Sequence, residues 1–314
     1  MLKKLKIIFI GNSIISEKYL KFLLKLKYNI ITIITKPDKP LRKNKKKKYS
    51  SIKKISDNYN IPILQPKNLL DIYYNILNLK ADIIVIISYG NKIPKSFFKI
   101  TKFGCINIHF SLLPRWRGSS PIQYSILYGD KKTGVTIIKI NKNFDEGDII
   151  FQSICLISKN DNSNTLFKKL MYIGIESLIL SLKLIFKNRF FLEKQNNLYS
   201  TYAYKINKKN AKIKWYLPAI YLKRIIKAFN LWPISFFLTK NKYIKIFSTN
   251  TNLVKYNNYS IGEILNISKN GIEINTINGI LILKEIQISG KKKNKIKNII
   301  NGINNIFNIG EVIN

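Results

Sequence analysis

The residues best suited to chemistry are Asn107 and His109, which stand two positions apart in the segment Cys105-Ile-Asn-Ile-His-Phe110. His109 is the only histidine in the chain. Positions i and i+2 of a β-strand lie on one face, so the amide and the imidazole are predicted to project together. A third polar group, the carboxylate of Asp145, follows in Phe144-Asp-Glu-Gly-Asp148, where acidic residues surround a glycine.

These three groups suit acyl transfer to an amine. An amide donor stabilises an oxyanion, and an imidazole with a carboxylate can move a proton from the nucleophile to the leaving group. Such a reaction needs no serine or cysteine nucleophile. Spacing alone leaves open a triad in which Ser111 or Cys105 attacks with the help of His109. It also leaves open a structural histidine and an acidic turn that only ends a strand.

The elements that must position these groups are strands of an open, mostly parallel α/β sheet. Apolar runs predict strands at residues 5–11, 29–35, 82–88, 104–110 and 134–140, and a helix from Ser13 to Leu26. Alternation of this kind is typical of a Rossmann-like sheet, which places ligands beyond the carboxyl ends of its strands. Asn107 and His109 lie at such an end. The irregular segment 111–121, with two prolines and a glycine, predicts an ordered loop beside them.

The second half of the chain has a different pattern. We predict a catalytic domain at residues 1–189, a polar linker at 190–206 and a second domain at 207–314. In the second domain a helix is predicted at 218–228, and short strands at 243–248, 262–267, 271–276 and 279–287. Short strands separated by glycine and Asn-Gly steps indicate a small OB-like β-barrel, a fold that often binds oligonucleotides. The Lys43–Lys48 run and the Asn-rich tail at 291–314 are expected to be solvated charged loops.

Composition constrains the partners. The chain of 314 residues has 55 Lys and Arg against 16 Asp and Glu, a net charge of +39, which exceeds what solubility requires. The excess suggests a polyanionic partner, although compositional drift toward lysine explains it equally well. Two cysteines, Cys105 and Cys155, lack metal-ligand spacing, and no metal site is expected. Without a signal peptide or an apolar run of about 18 residues, we expect a cytoplasmic monomer that does not enter a membrane.

Several longer segments carry a resemblance to a known family. They include Cys105-Ile-Asn-Ile-His-Phe-Ser-Leu-Leu-Pro-Arg-Trp-Arg-Gly-Ser-Ser-Pro-Ile-Gln123, Phe144-Asp-Glu-Gly-Asp-Ile149 and Ala228-Phe-Asn-Leu-Trp-Pro233. In these and in shorter motifs over almost its whole length, the chain resembles the methionyl-tRNA formyltransferases. The Asn-x-His with a later Asp is shared by the wider folate-dependent formyltransferases, whereas the segments at 111–118 and 228–233 are narrower signals.

The resemblance implies transfer of a formyl group from 10-formyltetrahydrofolate to the α-amine of methionyl initiator tRNA. It implies that Asn107 and His109 polarise the formyl group, while Asp145 orients His109 and a proton-carrying water. The residues that would lie against the folate are Ser111, Leu112, Leu113 and Pro114. The residues that would contact the acceptor end of the tRNA are Lys36, Lys39, Arg42, Lys43 and Lys45. The second domain would hold the flank of the tRNA.

Two positions depart from the family pattern. The loop that typically carries glycines around a key arginine reads Leu41-Arg-Lys-Asn-Lys45 here, so either Arg42 or Lys43 takes the role of that arginine. A lysine cannot reproduce a planar bidentate contact. Phe110 replaces a residue that is commonly small, and it is expected to narrow the pocket.

Two rival functions share part of this pattern. One is a folate-dependent formyltransferase that acts on a small amine, such as glycinamide ribonucleotide or an amino-sugar nucleotide. It would keep the same three polar residues, but it would not require a basic second domain. The other is a basic RNA-binding protein without catalytic activity. In such a protein the three residues would be expected to be lost by mutation, because catalysis would no longer require them.

Overall fold

Strands and helices alternate through the first half of the chain in a computed structural model, which describes residues 5–38, 50–254 and 258–313. The elements as far as residue 203 are β1 (Ile7–Gly11), α1 (Ile14–Lys25), β2 (Ile30–Ile34), α2 (Ser51–Asn58), β3 (Ile63–Leu64), α3 (Tyr73–Asn78), β4 (Ile83–Ile87), β5 (Cys105–His109), β6 (Arg117–Gly118), α4 (Pro121–Leu127), β7 (Lys132–Lys139), β8 (Ile149–Leu156), α5 (Ser163–Phe186) and β9 (Tyr202–Ala203). The later elements are α6 (Ala219–Ala228), β10 (Phe236–Thr239), β11 (Lys242–Asn252), β12 (Ile264–Ser268), β13 (Gly271–Asn275), β14 (Ile280–Ile288), β15 (Asn294–Lys295) and α7 (Ile296–Ile299). Among the described residues, no helix is both long and apolar enough to cross a membrane.

The chain divides into two compact units. The first comprises the described residues within 1–118, 134–155 and 169–202, and the second those within 119–133, 156–168 and 203–314. In the described part of the first unit, a mostly parallel sheet has the strand order β3-β2-β1-β4-β5-β7-β8. β1 is parallel to β2 and β4, and β4 is parallel to β5, whereas β5 and β7 are antiparallel. The order 3-2-1-4-5 is Rossmann-like, so the fold class predicted for this region is confirmed.

The local sequence explains the first strand and helix of this sheet. All five residues of β1 and of β4 are buried, as expected of apolar strands covered on both faces. Ser13 caps the N-terminus of α1: its hydroxyl accepts the Ser16 N–H at 3.2 Å, while the Ser16 hydroxyl accepts the Ser13 N–H at 3.1 Å. This reciprocal capping box satisfies two backbone donors that the first turn leaves free.

The second unit contains an antiparallel sheet. Among the described residues its strand order is β10-β11-β14-β13-β12, and β15 pairs with β14. The predicted β-rich second domain is therefore confirmed as an antiparallel sheet domain. α6 lies close to the helix predicted at 218–228 and begins directly after Pro218.

The C-terminal segment corrects one prediction. Residues 291–314 were expected to form a solvated charged loop, but five apolar side chains between 296 and 313 are no more than 3% exposed. They are Ile296, Ile303, Ile306, Phe307 and Ile313. The prediction was wrong because lysine and asparagine dominate the segment by number, whereas the widely spaced isoleucines provide its buried face. The Lys43–Lys48 run lies outside the described residues.

Candidate active site

Asn107 and His109 lie at the end of β5, at the carboxyl edge of the parallel strands. The intervening Ile108 and the preceding Ile106 are buried, as the alternation of a strand requires. His109 is also buried, with 5% of its surface exposed. Asn107 is half-buried, and its amide makes no hydrogen bond to another described residue. The amide is therefore available to a ligand.

The two ring nitrogens of His109 have different surroundings. Nε2 lies 2.8 Å from the carbonyl oxygen of Trp116. Because a carbonyl can only accept, Nε2 must carry a hydrogen and donate it. Nδ1 lies 3.6 Å from Oδ2 of Asp145. Nδ1 is thus the nitrogen that can gain or lose a proton, and the nearby Asp145 carboxylate can stabilise the imidazolium.

Asp145 is held in a tight turn between β7 and β8. Its φ of +55° lies in the left-handed region, which aspartate tolerates better than most residues. Oδ2 accepts the backbone N–H of Gly118 at 2.8 Å, so the carboxylate is fixed from a second side. A Cβ on Gly147 would overlap the carbonyl oxygen of Lys139, so this turn requires a glycine two residues after Asp145.

The loop after β5 is fixed by two polar side chains from the neighbouring strands. The Thr136 hydroxyl donates to the Ser111 carbonyl at 2.6 Å and accepts the Leu113 N–H at 3.1 Å. Gln152 donates through Nε2 to the Leu113 carbonyl at 2.8 Å. Leu113 itself is buried with Ile138 and Ile149. The loop is therefore an ordered structure, and its conformation is set by the sheet.

The four loop residues predicted to contact folate differ in exposure. Ser111 and Leu113 are buried, whereas Leu112 and Pro114 are half-buried. Leu112 and Pro114 thus present the apolar surface of the loop, while Ser111 and Leu113 shape its backbone. Phe110, which was expected to narrow the pocket, is a buried side chain.

Neither candidate nucleophile is arranged for attack. The Ser111 hydroxyl donates to the Arg115 carbonyl at 2.6 Å. The Cys105 thiol donates to the Phe97 carbonyl at 3.3 Å, and burial raises the pKa of this thiol to about 12. A thiol with this pKa is protonated at neutral pH and therefore a poor nucleophile. The geometry does not support the triad that spacing alone left open.

One of the residues predicted to contact tRNA lies in the described part of the chain. Lys36 follows β2, and its Nζ lies 5.6 Å from the centroid of the Tyr89 ring. Its carbonyl accepts Nε2 of Gln65 at 3.0 Å, so its backbone is also held. The other four predicted contacts, Lys39, Arg42, Lys43 and Lys45, lie outside the described residues.

Sequence reasoning missed the residues that support the site. Thr136 lies in the motif Thr133-Gly-Val-Thr, but nothing in that motif indicates that the Thr136 hydroxyl contacts the loop after β5. Arg117 is 1% exposed, although arginine is rarely buried. Gln195 lies in the polar stretch that was predicted to be a linker, and it contacts both Arg117 and the Asp145 turn. No local pattern marks such contacts because their partners are 23 to 78 residues away.

Comparison with known proteins explains why these residues occur together. The family model for formyl transferase matches residues 5–182, and the model for the formyl transferase C-terminal domain matches residues 205–304. The chain belongs to the formyl transferase family. A methionyl-tRNA formyltransferase from Buchnera aphidicola subsp. Acyrthosiphon pisum is 44% identical over 314 residues, covering 99% of this chain and 100% of the relative. One from Wigglesworthia glossinidia brevipalpis is 40% identical and covers 99% of this chain and 98% of the relative.

Solved structures of formyl transferases share the fold. The N-formyltransferase from Helicobacter canadensis, in complex with folinic acid and dTDP-3-aminofucose, superposes with a TM-score of 0.67 at 22% identity. The match covers 89% of this chain and 98% of that chain. WlaRD, a sugar 3N-formyl transferase, has a TM-score of 0.65 at 24% identity and covers 92% of this chain and 99% of its own. At this level of identity the similarity shows the fold alone.

Proposed function

We propose that this formyl transferase moves a formyl group from 10-formyltetrahydrofolate to the α-amine of methionyl initiator tRNA, giving formylmethionyl-tRNA for translation initiation. The observation that carries the proposal is similarity along the whole chain to relatives named methionyl-tRNA formyltransferase, at 40–44% identity. The arrangement of Asn107, His109 and Asp145 supports the chemistry. We further propose that the protein works as a cytoplasmic monomer.

The catalytic groups act through hydrogen bonds and proton transfer. The uncommitted amide of Asn107 donates to the formyl oxygen as it becomes an oxyanion, in a partly buried site where such a bond is strong. His109, when protonated, adds positive charge beside the same oxygen. The bond that forms joins the amine nitrogen to the formyl carbon, and the bond that breaks joins that carbon to the folate nitrogen.

The paired His109 and Asp145 provide the proton path. Nδ1 and Oδ2 are 3.6 Å apart, just beyond hydrogen-bond distance, so a small rotation of either side chain brings them into direct contact. The pair can accept the proton that the amine loses and return a proton to the folate nitrogen as it leaves. No covalent enzyme intermediate is required, in agreement with the engaged Ser111 hydroxyl and the buried Cys105 thiol.

The loop at residues 111–114 suits a folate. Its backbone groups are held by Thr136 and Gln152, so the half-buried Leu112 and Pro114 can offer an apolar surface without rearrangement. When bound, 10-formyltetrahydrofolate supplies the activated one-carbon unit. We propose that this loop orients it toward Asn107 and His109.

We propose that the acceptor tRNA is held at two regions of the chain. In the catalytic domain, taken as residues 1–189, the contacts would come from Lys36, Lys39, Arg42, Lys43 and Lys45. In the domain at 207–314, beyond the linker at 190–206, one surface combines aromatic rings with cations. Phe236 and the exposed Tyr243 have ring centroids 5.5 Å apart, and Lys293 Nζ lies 5.0 Å from the Phe247 ring centroid. Together with the exposed Lys245, they suit phosphates and bases.

A small-molecule amine is the second candidate acceptor, because Asn107, His109 and Asp145 suit formyl transfer to an amine without selecting which amine. One assay separates the candidates. The protein is incubated with 10-formyltetrahydrofolate and either charged initiator tRNA, glycinamide ribonucleotide or an amino-sugar nucleotide. We expect formylmethionine to form with the tRNA, and little product with the small amines. Turnover with a small amine and none with the tRNA would overturn the proposal, and RNA binding without any turnover would indicate a non-catalytic protein.

A further inference from the structure

Arg117 is a buried cation next to the turn that carries Asp145. Its guanidinium donates from Nε and NH2 to Oε1 of Gln195 at 3.1 and 2.8 Å, and from NH2 to Oδ1 of Asn197 at 2.8 Å. NH1 lies 3.3 Å from Oε1 of Glu146, the residue after Asp145. Burying a charge is costly unless it is paired and hydrogen-bonded. These contacts therefore fix where Gln195 and Glu146 must lie.

Gln195 connects this cation to the turn that carries Asp145. Its Nε2 donates to the carbonyl of Asp145 at 2.8 Å and to the carbonyl of Gly147 at 2.7 Å. The orientation of the amide is forced, because its oxygen must face the donors of Arg117 and its nitrogen must face two acceptors. One side chain thus links the guanidinium to both ends of the three-residue segment 145–147.

The same part of the chain also holds the carboxylate of Asp145. Gly118, which follows Arg117, donates its N–H to Oδ2 of Asp145, and the Arg117 N–H donates to the Thr201 carbonyl at 2.8 Å. The backbone and the side chain of Asp145 are therefore tied to one rigid group of residues. This restraint accounts for a left-handed φ at a residue other than glycine.

We infer that Arg117 and Gln195 are positioning residues for formyl transfer, which act by holding the Asp145 carboxylate beside Nδ1 of His109. The inference rests on the proposed function. Neither residue needs to touch a substrate. A catalytic constellation that shifts by about 1 Å can lose about 100-fold in rate, so the loss of this restraint is expected to lower kcat more than it raises KM.

The first test replaces Gln195 by Met, which keeps the length of the side chain but removes all four of its hydrogen bonds. We expect kcat to fall by about 10- to 100-fold, with KM for tRNA and for folate within about threefold of the wild-type values. The matched control is Thr101→Val, which removes a buried hydroxyl bond to the Gly104 carbonyl, 2.9 Å long, at the opposite end of β5. It is expected to lower the melting temperature and leave kcat unchanged.

A spectroscopic readout separates positioning from a general loss of stability. His109 is the only histidine, so tag-free protein labelled with ¹⁵N-histidine gives NMR signals from one imidazole. We expect Gln195→Met to shift its ring nitrogen resonances and Thr101→Val to leave them in place. If wild-type protein formylates nothing, the proposed function fails, and the NMR comparison still shows whether Gln195 fixes the surroundings of His109.

A second variant covers the case in which Gln195→Met does not fold. Gln195→Glu keeps an acceptor for Arg117 but sets a carboxylate against the carbonyls of Asp145 and Gly147. We expect a stable protein with reduced kcat and shifted His109 resonances. Wild-type kcat in this variant, or reduced kcat with unshifted His109 resonances, would overturn the inference.

Discussion

Asn107 and His109 differ in how much of their hydrogen-bonding capacity the protein already uses. The Asn107 amide makes no hydrogen bond within the described part of the chain, whereas Nε2 of His109 donates to the Trp116 carbonyl. We therefore assign the direct hydrogen bond to the oxyanion to Asn107, and the proton that is transferred to Nδ1 of His109.

Replacing Asn107, His109 or Asp145 by Ala is expected to lower kcat at least about 100-fold in the formylation assay. Asn58→Ala, at the exposed end of α2, is the control and should have wild-type activity. Near-normal activity of His109→Ala would refute its assigned role.

Cys105 gives a second prediction for a single residue. Burial raises the pKa of its thiol to about 12, so very little thiolate exists between pH 7 and 8. Cys155 is buried as well. We expect the native protein to keep its activity during treatment with iodoacetamide, and mass spectrometry to find both thiols unmodified until denaturant is added. Rapid inactivation with alkylation of Cys105 would revive the cysteine nucleophile.

At the scale of elements, the turn between β7 and β8 holds Asp145, one of the three proposed catalytic residues, at the edge of the sheet. A Cβ at Gly147 would overlap the Lys139 carbonyl oxygen, which belongs to the backbone and cannot move aside cheaply. We expect Gly147→Ala to lower the free energy of unfolding by about 1–3 kcal/mol and to lower kcat by displacing Asp145. Gly302→Ala is the control, because the added methyl group would meet no described atom within 4 Å beyond residues 301–303. Denaturant unfolding and the formylation assay measure the two effects, and equal stability of the two variants would contradict the steric account.

The sequence predicted the elements with a clear pattern of apolar residues and missed those that depend on partners distant in the chain. β1, β4 and β5 were predicted within two residues of their ends, because β1 and β4 are continuous apolar runs and isoleucine alternates with polar residues in β5. β10 was not predicted, since its pairing with β11 rather than its own four residues defines it. The trio of polar residues was identified from one strand end and one acidic turn. Gln195 was not, because its role exists only when residues 117, 145 and 195 are brought together by the fold.

At the scale of the whole molecule, the net charge of +39 has two explanations that the fold alone does not separate. Compositional drift would spread lysines over all surfaces, and their effect on RNA binding would be general. Specific contact would concentrate the effect at a few positions, such as Lys245 beside the Phe236 and Tyr243 rings. Lys67, an exposed residue between β3 and α3, provides a comparison outside that surface.

The dependence of binding on salt distinguishes these explanations. Each phosphate contact releases counterions, so the affinity for tRNA should fall steeply with salt, by about 10³- to 10⁵-fold between 50 and 200 mM if about 6–10 phosphates are contacted. The affinity for folate should change far less, since it depends on few charges. We expect Lys245→Gln to reduce the slope of log K against log salt by about one and Lys67→Gln to leave it unchanged. Equal slopes for tRNA and folate would contradict the electrostatic account. Equal effects of the two lysine variants would instead assign the excess charge to drift, because a diffuse field does not depend on which lysine is removed.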